Sequence, residues 1–183
     1  MESPNSYCKY TSELPSDNVH RIYHDTEYGF PIQDDNALFG RLILEINQAG
    51  LSWNTILNKK ENFFKAYDGF NIEVIANYGE GERARLLSDA GIIRNRLKVN
   101  AAIHNAQRIM ELQQEFGSFK AWLHHHHPLE KDTWVKLFRK NFKFVGGEIV
   151  NEFLMGSGYL KGAHDANCPI YAKILKTNPK WSQ

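Results

Sequence analysis

Two cysteines and two histidines near the ends of the chain are the residues best suited to hold a metal ion. His164 and Cys168 are four residues apart in the stretch GAHDANC, so one helical face or one turn can bind an ion with both. Cys8 and His24, from the N-terminal region, would complete a tetrahedral Cys2His2 set without an open position, which is typical of structural sites. Such a site would tie the two ends of the chain together. A Cys8–Cys168 disulfide or two thiols that simply pack are the alternatives.

A run of four histidines, His124 to His127, is a second place where a metal could bind. Adjacent residues on a helix point about 100° apart, so at most two of these imidazoles would ligate one ion well. Pro128 follows the run, and the nearest acid, Glu130, is poorly placed to assist. The pattern therefore favours a solvated helix end over the site of a metal-dependent hydrolase.

Glu45 is a carboxylate on the apolar stripe of its predicted helix, in line with Leu38 and Leu42. Glutamate is almost never fully buried without a partner. Gly50 ends that helix and brings Trp53 nearby, so an acid and an indole would face one concavity and hold a planar cation. Alternatively, Glu45 caps a neighbouring helix or pairs with an arginine. A hollow filled by the protein's own atoms, or a carboxylate neutralised by a guanidinium and sealed from outside, would exclude a ligand site.

The segment from Leu86 to Ala102 has the pattern of a helix, a tight turn and a second helix. Gly91 is expected to close the first helix in the left-handed conformation. Arg94, Arg96 and Lys98 cluster at the start of the second helix, where free backbone N–H groups and the helix dipole favour an anion. A basic turn of this kind can grip a DNA backbone without reading its sequence. A Schellman-type turn with a solvated basic face is the alternative.

The elements that carry these residues are predicted to be helices. Apolar residues recur at helical spacing from Asp34 to Ala49, and a second helix begins near Ser52, a good N-cap residue. Further helices are predicted at about 72–76, 82–89, 95–115, 119–123, 133–140 and 147–155. No segment shows the alternation and β-branched enrichment of a strand, and the tail after Cys168 is expected to fray. The predicted class is all-α.

The bulk composition limits the class of protein. A chain of 183 residues fits one domain, 1–183. Lys and Arg total 22 against 21 Asp and Glu, so the net charge neither requires nor excludes a nucleic-acid partner. Neither a basic stretch followed by an apolar run at the N-terminus nor an apolar segment of about 18 residues is present, so we expect a cytoplasmic protein without a membrane partner. A monomer is the default expectation.

Several of these segments together resemble the 3-methyladenine DNA glycosylase I family, a branch of the helix-hairpin-helix DNA glycosylases. The resemblance runs from Cys8 to Cys168. The segments that carry it are YHDTEYGFP (23–31), LFGRLILEINQAGLSW (38–53), DAGIIRNRLK (89–98), FKFVG (142–146) and HDANC (164–168).

The resemblance implies a monofunctional enzyme that removes the cationic base 3-methyladenine from double-stranded DNA. Such an enzyme is expected to associate with the nucleoid when it is bound to DNA. A noncatalytic protein that binds alkylation damage with the same fold is the alternative. The family's structural zinc implies the ligands Cys8, His24, His164 and Cys168, in terminal regions 1–30 and 156–175. The family's pocket residues fall on Glu45, Tyr23 and Trp53. Its helix-hairpin-helix, at about 82–115, implies DNA contacts from Gly91, Arg94, Arg96 and Lys98.

The sequence departs from the family at four positions near the implied pocket. Tyr10 and Tyr28 stand where family members carry tryptophan. Beside the acid, Ile46 and Asn47 replace a small residue and a glutamine. We expect Tyr10 and Tyr28 to contact the substrate with smaller, hydroxyl-bearing rings, so that the range of bases removed depends on them.

Overall fold

The computed structural model describes residues 6–183, so the first five residues of the predicted zinc-binding region lie outside the described residues. In residues 6–183 every regular element is a helix, which agrees with the all-α prediction. None of these helices is both long enough and apolar enough to span a bilayer. The α-helices are α1 (Tyr7–Ser12), α2 (Val19–Thr26), α3 (Asp35–Gln48), α4 (Trp53–Ala66), α5 (Ile72–Ala76), α6 (Glu80–Ser88), α7 (Arg96–Phe116), α8 (Phe119–His126), α9 (Lys131–Asn141), α10 (Gly147–Gly156) and α11 (Pro169–Lys176). Two 3-10 turns occupy Asp68–Phe70 and Lys180–Ser182.

Helix α3 runs through the core and positions the candidate site. All of its residues from Leu38 to Asn47 are buried, and it packs against α4, α7, α8 and α10. Gly50, with φ +80°, reverses the chain after α3, and Ser52 caps α4 by accepting a hydrogen bond from the Thr55 backbone at 3.2 Å. These two local signals, both predicted from the sequence, hold α3 and α4 as neighbours.

Three helices were not predicted from the sequence patterns: α1, α2 and α11. The first two are short, with six and eight residues, so they offer little periodicity to detect. The expectation that the tail after Cys168 frays is wrong. Ile170 and Ile174 of α11 are buried, and Tyr171 stacks on Trp181 at 5.8 Å between ring centroids. These side chains form a small second core beside Cys168, which gives the tail apolar contacts that order it.

The turn between α6 and α7 differs from the predicted one at Gly91. This residue is absent from the positions with positive φ, so the prediction of a left-handed closing residue is wrong. Instead, the Gly91 N–H donates to Oδ1 of Asp89 at 2.7 Å. A Cβ on Gly91 would lie 2.9 Å from that oxygen and 3.3 Å from Asn62 of α4. Glycine is favoured here by close approach of the Asp89 and Asn62 side chains, not by backbone conformation.

Candidate active site and metal centre

A cavity of about 390 Å³, here called the acidic cavity, is lined by side chains from α1, α2, α3, α4 and α10 and opens to solvent. A volume of about 300 Å³ or more is typical of a site for a small molecule. Its aromatic lining consists of Tyr7, Tyr23, Tyr28 and Trp53. Its carboxylates are Glu45, Glu148 and Glu152, and Gln48 is its remaining polar residue.

The aromatic rings form an edge-packed wall. The ring centroids of Tyr23 and Trp53 are 5.3 Å apart at 64°, and those of Tyr7 and Tyr28 are 5.8 Å apart at 88°. Tyr23 and Tyr28 are also in contact, at 5.6 Å. Such packing restrains each ring, so the wall is preorganised to receive a flat group.

Glu45 lies at this wall with only 4% of its surface exposed. Its Oε1 accepts a hydrogen bond from Nε of Arg41, one helical turn earlier, at 2.9 Å. Burial raises the pKa of Glu45 to about 7, while the Arg41 charge opposes the rise and Glu152 adds to it. The arginine partner that the sequence offered as an alternative is therefore present. Arg41 bonds to only one of the two carboxylate oxygens of Glu45. Because Glu45 also lines an open cavity, the carboxylate is not sealed from outside.

Arg41 was not identified as a site residue from the sequence. Its guanidinium carbon lies 4.8 Å from the Tyr23 ring centroid, 5.7 Å from that of Trp53 and 6.0 Å from that of Tyr28. Its Nη2 also donates to the Tyr23 hydroxyl. The available signal was the spacing of four residues between Arg41 and Glu45 on the apolar stripe of one helix.

Glu152 and Tyr7 are two further residues that the sequence reading missed. Glu152 accepts a hydrogen bond from the Tyr28 hydroxyl at 2.9 Å, and burial raises its pKa. Tyr7 precedes the ligand candidate Cys8, and its hydroxyl lies 3.0 Å from Nδ1 of His20. Neither residue belongs to a local pattern that marks a site, because only tertiary packing brings α1 and α10 to α3.

Of the four residues that depart from the family pattern, Tyr10, Ile46 and Asn47 do not line the acidic cavity. Tyr10 is 48% exposed and stacks on Tyr7 at 6.2 Å, so it supports the wall from behind. Ile46 is a core residue. Asn47 is buried and donates from Nδ2 to the Ile43 carbonyl at 2.8 Å. Tyr28 alone among the four faces the cavity.

The four predicted metal ligands converge. One ligand atom from each of Cys8, His24, His164 and Cys168 lies within 4.8 Å of every other, and both cysteines are free thiols. Nδ1 of His164 is 3.6 Å from the Cys8 sulfur and 3.7 Å from the Cys168 sulfur. Nε2 of His24 is 3.8 Å from the Cys168 sulfur. These residues can hold a metal ion, and they join the N-terminal helices to the turn before α11.

Hydrogen bonds set the orientation of both imidazoles. Nδ1 of His24 lies 2.6 Å from the Asp25 carboxylate, and Nε2 of His164 lies 2.7 Å from the Tyr28 carbonyl. Each of these nitrogens is the donor, so the opposite nitrogen of each ring presents a lone pair to the sulfurs. Burial lowers the pKa of His164 to about 4, which keeps that imidazole neutral and able to ligate.

The histidine run has the geometry of a helix end. His124 and His125 are exposed near the C-terminus of α8. The part of the His124 side chain that is covered by its neighbours is desolvated, which lowers the pKa of His124. In the part of the chain that the structure describes, the cluster of the two cysteines, His24 and His164 is the only group of three or more metal-ligating side chains.

The predicted basic cluster divides into two parts. Arg94 and Arg96 are exposed and make no hydrogen bond or ion pair within residues 6–183. Lys98 points inward instead, with 4% of its surface exposed, and its Nζ donates to the carbonyls of Asn47 at 2.9 Å and Ala49 at 2.7 Å. It therefore satisfies free carbonyls at the C-terminus of α3. The predicted phosphate contact from Lys98 does not fit this position.

The turn itself is braced by α4. Lys59 of α4 donates to the Ala90 carbonyl at 3.0 Å, and Asn62 donates to the Gly91 carbonyl at 3.3 Å. Ile92 is buried against the core. The turn and the first residues of α7, 89–98, are here called the basic elbow; they form a rigid feature that presents two free arginines.

Comparisons with known proteins agree with this arrangement. Residues 14–136 match the methyladenine glycosylase family. DNA-3-methyladenine glycosylase 1 of Escherichia coli (strain K12) is 32% identical over 183 residues, covering 90% of this chain and 96% of the relative. A structure of 3-methyladenine DNA glycosylase I from Staphylococcus aureus superposes with a TM-score of 0.76 at 33% identity, covering 85% of this chain and 93% of that one. A structure of a variant 3-methyladenine DNA glycosylase I in complex with 3-methyladenine has a TM-score of 0.77 at 30% identity, with 90% and 96% coverage.

The fold is therefore that of the helical 3-methyladenine DNA glycosylases. The matched residues, 14–136, extend over more than half of the chain and include the helices that carry Tyr23, Glu45 and Trp53. The chain belongs to the methyladenine glycosylase family.

Proposed function

We propose that this protein is a DNA-3-methyladenine glycosylase, which hydrolyses the N-glycosidic bond of 3-methyladenine in double-stranded DNA. The observation that carries the proposal is the position of Glu45, which is buried and lines the same open cavity as Tyr23 and Trp53. The similarity to glycosylases from Escherichia coli and Staphylococcus aureus supports the same reaction.

The acidic cavity suits a planar cation better than a neutral base. Glu45 is buried in its wall and Glu152 is partly buried there, whereas Arg41 lies behind the wall and not in its lining. A cationic ring stacked on Tyr23 or Trp53 gains from the ring faces and from the carboxylates together. Because the cavity wall has a low polarity, the charge interaction is stronger than it would be in water.

The reaction requires the damaged nucleotide to leave the base stack. Flipping costs a few kcal/mol and costs least for damaged bases, which contributes to selectivity. Alkylation at N3 makes the base cationic and a good leaving group, so a strong general acid is not needed. Glu45 stabilises the flipped cationic base. As the glycosidic bond breaks, its electron pair stays with the base, which leaves as neutral 3-methyladenine, and positive charge develops at C1′ of the sugar. Water then adds to C1′ and releases its proton to solvent. The DNA phosphates help to stabilise the charge on the sugar.

A monofunctional mechanism is consistent with the position of Lys98. A lyase would need an accessible, unprotonated amine to attack the sugar. The ammonium of Lys98 is buried and donates to two backbone carbonyls of the α3 terminus. We therefore assign Lys98 a structural role. We also infer that water, and not an amine of the protein, displaces the base.

We assign DNA backbone binding to Arg94 and Arg96 of the basic elbow, at the N-terminus of α7. Arg94→Ala and Arg96→Ala should each weaken binding about equally for all DNA sequences and lower the salt dependence by about one released ion. Titration of a fluorescent duplex at several salt concentrations measures both effects. Arg139→Ala, which removes an exposed arginine on α9, is the control and should leave the slope unchanged. Equal slopes for all variants would remove the elbow from the DNA interface.

We further propose that Cys8, His24, His164 and Cys168 bind a structural zinc ion. Zinc–sulfur bonds of about 2.3 Å and zinc–nitrogen bonds of about 2.0–2.1 Å at tetrahedral angles place sulfur about 3.6 Å from nitrogen. The sulfur–nitrogen distances of 3.6, 3.7 and 3.8 Å fit this geometry. Four protein ligands leave no position for substrate, so the ion would stabilise the fold and take no part in base removal.

One assay tests the function directly. The protein is incubated with alkylated genomic DNA, and the released bases are identified by chromatography. We expect 3-methyladenine among the products. A protein that shifts damaged DNA on a gel but releases no base would instead be the noncatalytic damage-binding protein. We also propose that the protein acts as a monomer in the cytoplasm.

A further inference from the structure

We propose that Arg41 is a positioning residue for base removal: from behind the cavity wall it fixes Glu45 and Tyr23 in place and favours the charged form of the Glu45 carboxylate. The inference rests on the proposed function, because it assigns Arg41 a role in the same site. It goes beyond that function in explaining what favours the ionised form of a carboxylate with so little exposure.

The guanidinium connects the two residues that it positions. Its Nε donates to Oε1 of Glu45 at 2.9 Å, and its Nη2 donates to the hydroxyl of Tyr23. The planar fork holds both donors in a fixed relation, so the acid and the ring are held at a fixed spacing. In residues 6–183 no hydrogen-bond partner is present for Oε2 of Glu45, which leaves this oxygen for the ligand.

The surroundings of Arg41 hold it in this position. Its side chain is 6% exposed and packs against the rings of Tyr23 and Trp53. On its other side lies Gly156 of α10, where a Cβ would overlap Nη2. Any larger residue at 156 would collide with the guanidinium. A glycine with helical neighbours therefore provides the space for a buried arginine.

Within residues 6–183, Arg41 is the single cation among the charged and titratable groups that face Glu45. The others are Tyr7 of α1, Tyr23 of α2, Tyr28 after α2, and Glu148 and Glu152 of α10. Burial and Glu152 both raise the pKa of Glu45, and Arg41 lowers it. Without Arg41 the carboxyl would bind a proton at a higher pH than it does now. A protonated Glu45 has no charge with which to hold a cationic base.

Replacement by methionine tests the proposal, because methionine keeps much of the volume and removes the charge and both donors. Rates of 3-methyladenine release from alkylated duplex DNA are measured from mildly acidic to mildly alkaline pH. For Arg41→Met the acidic limb should move upward by about one pH unit or more, since an opposite charge at this range shifts a carboxyl pKa by about 1–3 units. Release at neutral pH should fall about tenfold and recover as the pH rises.

Two variants serve as controls. Arg41→Lys keeps the charge but not the planar fork, so the acidic limb of its pH profile should stay at the parent position while its maximal rate falls. Arg85→Met removes an arginine that lies 5.6 Å from the Tyr78 ring centroid and donates to the Ala66 carbonyl, away from the acidic cavity. Its profile should match the parent. If Arg41→Met does not fold, Arg41→Gln and Arg41→Lys are compared, and the upward shift is then expected for glutamine alone.

Titration of the ¹³C-labelled Glu45 carboxyl by NMR separates this inference from the function. An upward shift of its titration midpoint in Arg41→Met supports the role of Arg41 even for a protein that releases no base. The opposite result is that the parent releases 3-methyladenine, that its pH profile superposes on that of the uncharged variant, and that the Glu45 titration midpoint is the same in both. This result would overturn the role of Arg41 and leave the function intact.

Discussion

Glu45→Gln should lower the rate of 3-methyladenine release about a hundredfold, because it removes the charge that stabilises the cationic base in the acidic cavity. Glutamine keeps the shape of the side chain and an oxygen that accepts the hydrogen bond of Arg41. Glu45→Ala would also lower release sharply, but it leaves the buried Arg41 guanidinium without its carboxylate partner and costs about 3–5 kcal/mol of stability. Single-turnover release from alkylated duplex DNA measures the effect.

Glu148→Gln is the matched control for this prediction. Glu148 lines the same cavity, but its side chain is 84% exposed and lies 3.2 Å from the Lys131 ammonium. Its charge is screened by water, so release should change by less than about threefold. Both variants should bind undamaged DNA like the parent, because neither residue belongs to the basic elbow. Similar release by Glu45→Gln and the parent would contradict the role assigned to Glu45.

Removal of the metal should be the largest perturbation of stability. We expect about one zinc ion per chain by mass spectrometry. A chelator should lower Tm by about 6–12 °C, which corresponds to about 3 kcal/mol in a protein of this size. The physical reason is that the ion joins α1 and α2 to the turn before α11, whose own hydrophobic core is small. Calorimetry with and without chelator measures the shift.

The variant Cys168→Ser should reproduce the loss of stability and abolish the response to chelator. His124→Ala is the control, because it removes an exposed histidine outside the cluster and should leave zinc content and Tm unchanged. A protein without stoichiometric zinc that melts identically with chelator would exclude the structural ion.

Much of the helical framework could be predicted because its signals are local. The apolar spacing of α3, the Ser52 cap and the reversal at Gly50 act over a few residues, and the structure contains all three. The same locality places Glu45 on the inner stripe of α3. Helices α1 and α2 were not predicted because so few residues carry their patterns. Helix α11 was not predicted because its order depends on side chains distant in the sequence, such as Cys8 and Phe30.

The sequence by itself determined the all-α class, the choice of four residues that converge and can hold a metal ion, and the inward position of Glu45. The tertiary structure alone decided that Arg41 reaches both Glu45 and Tyr23, that Glu152 joins them from α10, and that Lys98 turns toward the end of α3. The physical reason is that periodicity and capping depend on neighbours along the chain, whereas the partner of a buried charge is set by how separate helices pack.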